Sequence, residues 1–173
     1  MLEPASETDH PAIVALVNRA YRGASDVRSW NTEAHLIAGD RVTLDQLRRD
    51  LGANPDARLM VHRPDQGGLL ACVWIEPETA QDWYFGMLAI DPADQAKGLG
   101  QRMLAAIEAF VRDRGGRRIR ITVVNRREPL IAWYERHGFA RTGETEPFPY
   151  EDKSLGLPLR DDLAFVILAK AVA

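Results

Sequence analysis

Residues 90–100 read Ile-Asp-Pro-Ala-Asp-Gln-Ala-Lys-Gly-Leu-Gly, and the elements around this stretch decide the fold. The apolar run Trp83–Ile90 before it is typical of a strand, and Gly86 inside that run indicates a bulge or a close backbone approach. The following residues, 98–114, carry apolar side chains at helical spacing until a glycine pair ends the pattern. The stretch therefore predicts a strand, a glycine-containing loop and an amphipathic helix in succession.

The start of that helix is suited to binding an anion. The first N–H groups of a helix have no internal acceptor and lie at the positive end of its dipole, and glycine lets a phosphate approach the backbone. Two phosphate motifs are excluded, because Gln101-Arg102-Met103 follows where a dinucleotide fingerprint needs its third glycine, and no Gly-Lys-Ser/Thr is present. The alternative is that Gly98 and Gly100 only permit close packing of the helix start.

The rest of the chain continues this mixture of helices and strands. Further helices are expected from Thr8 to Gly23, from the capping box at Thr43 to the turn at 54–56, and over 129–137, with one helical turn at 32–37. Further strands are expected at 1–4, 58–63, 69–76, 118–124, 139–143 and 163–170. This order predicts one α+β domain with a mixed sheet.

A second motif lies downstream of the glycine loop. The strand over 118–124 ends at Asn125, and Tyr134 stands in the helix that follows, four residues before Gly138 and Phe139. The Gln-x-x-Gly-x-Gly pattern of residues 95–100 and this Tyr-x-x-x-Gly-Phe pattern together resemble the signatures of the GNAT family of N-acetyltransferases. The resemblance is sharpest over residues 84–139.

The resemblance implies a fold and a cosubstrate. The fold is α+β, with a mixed, mostly antiparallel central sheet flanked by helices in the order β-α-α-β-β-β-α-β-α-β-β, as a single acyltransferase domain over residues 1–173. The cosubstrate is acetyl-CoA, and no metal is expected. Backbone amides of the glycine loop would hold its pyrophosphate, and the preceding strand would pair with the pantetheine arm. The cofactor-binding residues implied are Leu88, Ala89, Ile90, Gln95, Ala96, Lys97, Gly98, Leu99, Gly100, Gln101 and Asn125. Asn125 would contact the cofactor or position the helix that carries Tyr134.

The resemblance implies that Tyr134 is the general acid that protonates the departing thiolate. A tyrosine, whose ordinary pKa is about 10, can donate a proton in this way. The alternative is an aromatic side chain that only fills the core. The base that takes the proton of the amine stays open among Glu33, Tyr84, Glu76, Glu144 and His137. His137 stands in the last turn of a helix, where a capping cation is the simpler interpretation.

Trp30, Glu33, Tyr84 and Phe148 are the residues expected to contact the acceptor. Trp30 and Glu33 would form a wall and an ammonium anchor. The alternative is that Thr32 and Glu33 only begin a short helix and that Trp30 packs over it. Tyr84 and its neighbour Trp83 point to opposite faces of a strand, and Tyr84 is expected to face the site.

Phe148 lies in the rigid, acidic segment 146–152, which is interpreted as a lid, a plain surface loop or a dimer contact through Phe148 and Tyr150. The acidic residues around the acceptor pocket predict a cationic amine as acceptor and disfavour an acidic one.

Composition bounds the partners. The chain has 173 residues and a net charge of −3 without a basic stripe, which argues against nucleic acid. One cysteine, Cys72, stands in an apolar run, so a buried core residue in a reducing compartment is expected. No apolar stretch is long enough to span a membrane and the first residues lack the pattern of a signal peptide, which predicts a cytoplasmic protein. The family resemblance adds a possible homodimer.

The predicted function is the transfer of an acetyl group from acetyl-CoA to a primary amine of a small molecule. Two alternatives remain open at this point. One is a non-catalytic acyl-CoA-binding sensor module, and the other is an enzyme that acetylates a protein or peptide.

Overall fold

The computed structural model describes residues 2–23, 30, 32–64, 67–95 and 98–172. The helices are α1 (His10–Arg22), α2 (Leu44–Ala53), α3 (Leu99–Arg112) and α4 (Glu128–Arg136). The strands are β1 (Glu3–Pro4), β2 (Ile37–Ala38), β3 (Arg58–His62), β4 (Ala71–Pro77), β5 (Asp82–Ile90), β6 (Arg118–Val124), β7 (Ala140–Pro147), β8 (Leu157–Pro158) and β9 (Ala164–Ala171).

The main sheet has the strand order β1-β3-β4-β5-β6-β9-β7. Its neighbours pair antiparallel except β5 and β6, which run parallel. The predicted fold class, a mixed and mostly antiparallel sheet flanked by helices, is confirmed. The predicted order omits β2 and β8, which pair with each other in a small separate sheet. Strands of two residues carry too little alternation to be recognised in a sequence.

Helices cover both faces of the sheet, as the alternation of its strand residues requires. Met60 and Val73 belong to a core cluster with the apolar face of α3, whereas Val61 and Cys72, their neighbours in the chain, pack with α1 and α2. Cys72 is fully buried, as predicted. No helix among the described residues is both long and apolar enough to cross a membrane.

The sheet opens at its centre. Strands β5 and β6, both wholly described, pair from Asp82–Arg118 to Tyr84–Arg120 and no further. The β4–β5 register shifts between Cys72 and Trp74, and Met87 in the shifted segment has a φ of 52°. The predicted irregularity around Gly86 is therefore present. Residues 85–90 pair with β4 on one side only, and on the side of β6 their backbone faces a groove.

Candidate active site

The loop after β5 leads into α3 through a capped turn. The Asp91 side chain accepts a hydrogen bond from the Ala93 amide at 3.0 Å, which holds the turn Pro92–Asp94. Gly98 then caps α3 with a φ of 73°, a left-handed conformation that glycine adopts without strain. A Cβ added to Gly98 would have no neighbour within 4 Å, so open space lies beside the helix end.

The first turn of α3 offers several amide donors to that space. The Arg102 amide donates to the Gly98 carbonyl at 3.2 Å, so the amides of residues 98–101 precede the helix's own hydrogen bonds. Such donors at the positive end of a helix fit a pyrophosphate. Ala96 and Lys97, also expected at this position, lie outside the described residues.

A groove of about 470 Å³ runs from this helix end along β5 to α4. Its lining comprises Trp30, Leu88, Ile90, Gln95, Gly98, Gly100, Gln101, Leu130, Trp133, Tyr134, Arg136 and His137. A Cβ added to Gly100 would lie 3.0 Å from Trp133 Cζ2 and 3.5 Å from Ile90 Cδ1, so glycine keeps this part of the groove open. Coenzyme A fits these features, with donors for its phosphates and an unpaired strand edge for its pantetheine arm.

Of the residues predicted to bind the cofactor, Ala89 and Leu99 can do so only through their backbone, and Asn125 does not line the groove. The side chains of Ala89 and Leu99 are buried in the core on opposite faces of the sheet. Asn125 lines neither the groove nor the second cavity. Its Nδ2 donates to the Asp162 carbonyl at 3.0 Å and its Oδ1 accepts from the Ala164 amide at 3.2 Å. Asn125 therefore ties the end of β6 to the segment before β9, which corrects its expected contact with the cofactor.

Aromatic side chains form one wall of the groove. The Trp133 ring lies 6.3 Å from the Trp30 ring and 4.3 Å from the His137 ring, centroid to centroid. Trp30 was expected to contact the acceptor, but it lines the groove beside Gly100 and not the cavity on the far side of Tyr134. His137 Nδ1 lies 2.7 Å from the Trp133 carbonyl oxygen, in the helix-capping position expected of it.

A second cavity of about 190 Å³ adjoins the groove, and Leu88, Leu130 and Tyr134 line both. Tyr134 is 7% exposed, and its ring contacts those of Phe85 and Phe139 at centroid distances of 6.2 and 5.4 Å. Burial raises the pKa of the Tyr134 hydroxyl well above its usual range. Tyr134 therefore holds its proton at neutral pH, at the point where the two cavities meet.

Glu33 lines the second cavity, but other side chains occupy its carboxylate. Oε1 accepts from Arg22 at 2.5 Å and Oε2 from Arg127 at 3.0 Å, and Glu33 itself is 3% exposed. This arrangement corrects the expectation of a free ammonium anchor or base at Glu33. Neither arginine is recognisable from the sequence, because neither stands in a motif and Arg127 lies 94 positions from Glu33.

Tyr84 and Phe148 both line the second cavity. The Tyr84 hydroxyl lies 3.3 Å from Thr122 Oγ1, whereas Trp83 packs against Phe110 in the core, the orientation predicted for this pair. A Cβ on Gly86 would lie 2.5 Å from the Tyr84 hydroxyl, so glycine makes room for this ring.

The segment that carries Phe148 is fixed to the body of the protein. Phe148 is 4% exposed and stacks on Phe165 at 5.5 Å. The Tyr150 hydroxyl accepts a hydrogen bond from the Leu163 amide at 2.7 Å. Phe148 therefore acts as a wall of the cavity, and these contacts favour a closed cover over an open lid.

A third pocket, of about 240 Å³, adjoins the second cavity and shares Arg41 and Tyr84 with it. Glu76 lines this pocket and accepts hydrogen bonds from Trp74 Nε1 at 2.8 Å and Asn54 Nδ2 at 2.5 Å. Of the other carboxylates considered as bases, Glu144 lies exposed on β7. Tyr84 and Glu76 are thus the candidates that lie on the acceptor side of Tyr134.

The amide donors at the start of α3, the open edge of β5 and a buried tyrosine where two cavities meet fit a phosphorylated acyl carrier. The model of the acetyltransferase (GNAT) family matches residues 24–139. The chain belongs to this family.

Relatives agree with the assignment. A mycothiol acetyltransferase from Salinispora tropica is 33% identical over 135 residues, which are 71% of this chain and 44% of that protein. The chain spans less than half the length of the curated relatives it matches.

Solved structures agree in fold. The ribosomal-protein-S18-alanine N-acetyltransferase from Escherichia coli superposes with a TM-score of 0.70 at 17% identity, over 100% of this chain and 94% of that one. A Salmonella typhimurium protein solved with its cofactor acetyl-CoA superposes with a TM-score of 0.68 at 17% identity, over 100% of this chain and 94% of that one. At these identities the likeness shows the fold alone.

Proposed function

We propose that this chain transfers an acetyl group from acetyl-CoA to a primary amine of a small molecule, with Tyr134 as general acid. The observation that carries the proposal is the position of Tyr134, which lines both the coenzyme A groove and the second cavity. Family membership supports the class of reaction. The enclosed second cavity, of about 190 Å³, suits a small molecule better than a folded protein.

Acetyl-CoA supplies a thioester, whose carbonyl carbon forms the new C–N bond as the C–S bond breaks. The amides at the start of α3 hold the phosphates, and the exposed edge of β5 orients the arm. A backbone amide of the irregular segment around Leu88 stabilises charge on the carbonyl oxygen. The Tyr134 hydroxyl, which its raised pKa keeps protonated, gives its proton to the departing sulfur. The proton that the amine loses on forming the amide passes, directly or through water, to a base on the acceptor side, for which Tyr84 and Glu76 are the candidates.

The test compares Tyr134→Phe with the wild-type chain. Calorimetric titration with acetyl-CoA should give similar affinities, because the hydroxyl contributes to the departure of the thiolate and not to binding of the carrier. Thiol release with an accepted amine should fall about 10–1000-fold, as expected for loss of a general acid. Thr145→Val, which removes an exposed hydroxyl on β7 that lines neither cavity, is the control.

The outcomes separate the alternatives. Unchanged thiol release in Tyr134→Phe would remove this residue from the mechanism. Binding of acetyl-CoA without release on any small amine would favour a sensor module or a peptide acceptor. Absence of binding would contradict the phosphate cradle itself. Cytoplasmic location, a homodimer, a single domain over residues 1–173 and independence from metal, nucleic acid and membrane stay predictions.

A further inference from the structure

The charges around the second cavity differ from those expected from the sequence. The described lining contains two arginines, Arg41 and Arg127, against one glutamate, Glu33. Glu33 is held by Arg127 and by Arg22, so its negative charge is already matched. The cavity therefore presents a net positive charge, which disfavours a purely cationic amine.

Arg41 differs from the other arginines of this region. Its guanidinium lies 5.6 Å from the centroid of the Tyr21 ring, and it lines both the second cavity and the third pocket. Among the described residues, no carboxylate forms an ion pair with Arg41, whereas Arg22 and Arg127 share Glu33. A half-buried guanidinium without a carboxylate is available to bind an anion.

Hydrogen bonds to the Asn18 side chain fix the backbone at Arg41. Its amide and that of Val42 both donate to Asn18 Oδ1 on α1, at 2.7 and 3.1 Å. Asn18 Nδ2 donates in turn to the Val42 carbonyl at 2.9 Å. The guanidinium therefore projects from a fixed point, and less conformational entropy is lost when it binds a ligand.

Two carboxylates, those of Asp50 and Glu76, line the third pocket. Glu76 accepts from Trp74 and Asn54, and Asp50 accepts from Gln46 Nε2 at 2.6 Å. Neither carboxylate lines the second cavity, so both lie on the outer side of Arg41. An anionic group is therefore favoured on the inner side, towards Tyr134.

We propose that Arg41 binds a carboxylate of the acceptor, so that the acceptor is a small amine that also carries a carboxylate group. The amine then lies towards Tyr134 and the carboxylate towards Arg41, within one cavity. This inference rests on the proposed acetyltransferase function and specifies its substrate class. This substrate class replaces the cationic amine that the acidic residues predicted. In the segment 146–152, the Glu146 carboxylate oxygen Oε1 lies 3.5 Å from Arg120 Nη2, so its charge is paired.

The experiment compares acceptors that differ in one group. Thiol release is measured with a series of amino acids, their primary amides, the corresponding decarboxylated amines, aminophosphonates of equal length, and a polyamine. The wild-type chain should prefer a carboxylate-bearing amine over its amide by about 10- to 100-fold in kcat/KM, the range for losing a charge-assisted pair. An equal or greater preference for the aminophosphonate would overturn the assignment to a carboxylate.

Arg41→Gln should abolish this preference by raising KM for the carboxylate-bearing amine, while KM for acetyl-CoA stays unchanged. Arg41→Lys, which keeps the charge but loses the planar fork, should retain part of it. Arg48→Gln, on the exposed side of α2, is the matched control. Retention of the preference in Arg41→Gln, or equal use of amino acid and amide by the wild-type chain, would overturn the inference and leave the acetyltransferase function standing.

Calorimetry separates failure of the inference from failure of the function. The same amines are titrated into the chain saturated with coenzyme A. Carboxylate-dependent binding that Arg41→Gln removes, without thiol release from acetyl-CoA on any amine, would support the binding site and contradict the enzymatic function. Neither binding nor thiol release would overturn both.

Discussion

Glu33→Gln tests the ion-pair cluster of Glu33, Arg22 and Arg127 at the wall of the proposed acceptor cavity. The substitution keeps the shape of the side chain but removes its charge. Glu33 is 3% exposed, and the side chains of its partners Arg22 and Arg127 are 10% and 7% exposed. The change therefore leaves two buried guanidinium groups without their common carboxylate.

The magnitude follows from burial. Removing one partner of a buried ion pair costs about 3–5 kcal/mol, because the remaining charge is left uncompensated in a poorly solvated position. Each kcal/mol lowers the Tm of a chain of this size by about 2–4 °C. We therefore expect Glu33→Gln to lower the Tm by about 6–20 °C. The loss of about 3–5 kcal/mol is a large part of a typical free energy of unfolding of about 5–15 kcal/mol.

The assay is thermal unfolding followed by circular dichroism, supported by urea titration to obtain the free energy of unfolding. Glu128→Gln is the control, since its partner Arg141 lies 2.8 Å away in an exposed pair, and exposed pairs contribute little. A Tm for Glu33→Gln as close to wild type as that of the control would refute the cluster's structural role. A wild-type Tm together with a raised KM for the amine would return Glu33 to substrate binding.

The remaining predictions concern the groove and the acid. Gly100→Val should weaken coenzyme A binding by at least about tenfold, because even a Cβ would lie 3.0 Å from Trp133 and the valine methyl groups would fill part of the groove. Calorimetry measures the affinity, and an undiminished affinity in a folded variant would contradict a direct role of this loop. The rate of acetyl transfer should not fall up to about pH 10 through ionisation of Tyr134, because an acid whose pKa is raised above its ordinary value keeps its proton to higher pH. A decrease of the rate that begins below about pH 9 and is absent in Tyr134→Phe would contradict this.

Local sequence determined the elements and much of the cofactor groove. Gly98 and Gly100 after a strand indicated a phosphate cradle, because helix ends and left-handed turns are specified within a few residues. Period-two alternation in strands and the spacing of apolar residues in α3 predicted which side chains enter the core. The family resemblance implied that Tyr134 lies beside the thioester, a role that stays a prediction, whereas its place where the two cavities meet is known only from the structure.

Tertiary structure alone decided the charge and the walls of the acceptor cavity. Arg22 and Arg127 meet Glu33 across 11 and 94 positions of the chain, and no local spacing encodes such a pair. Trp30 likewise stands near Glu33 in sequence but lies on the coenzyme A side of the site. The physical reason is that capping and periodicity act between near neighbours, whereas the pairing of buried charges depends on which distant segments the folded sheet brings into contact.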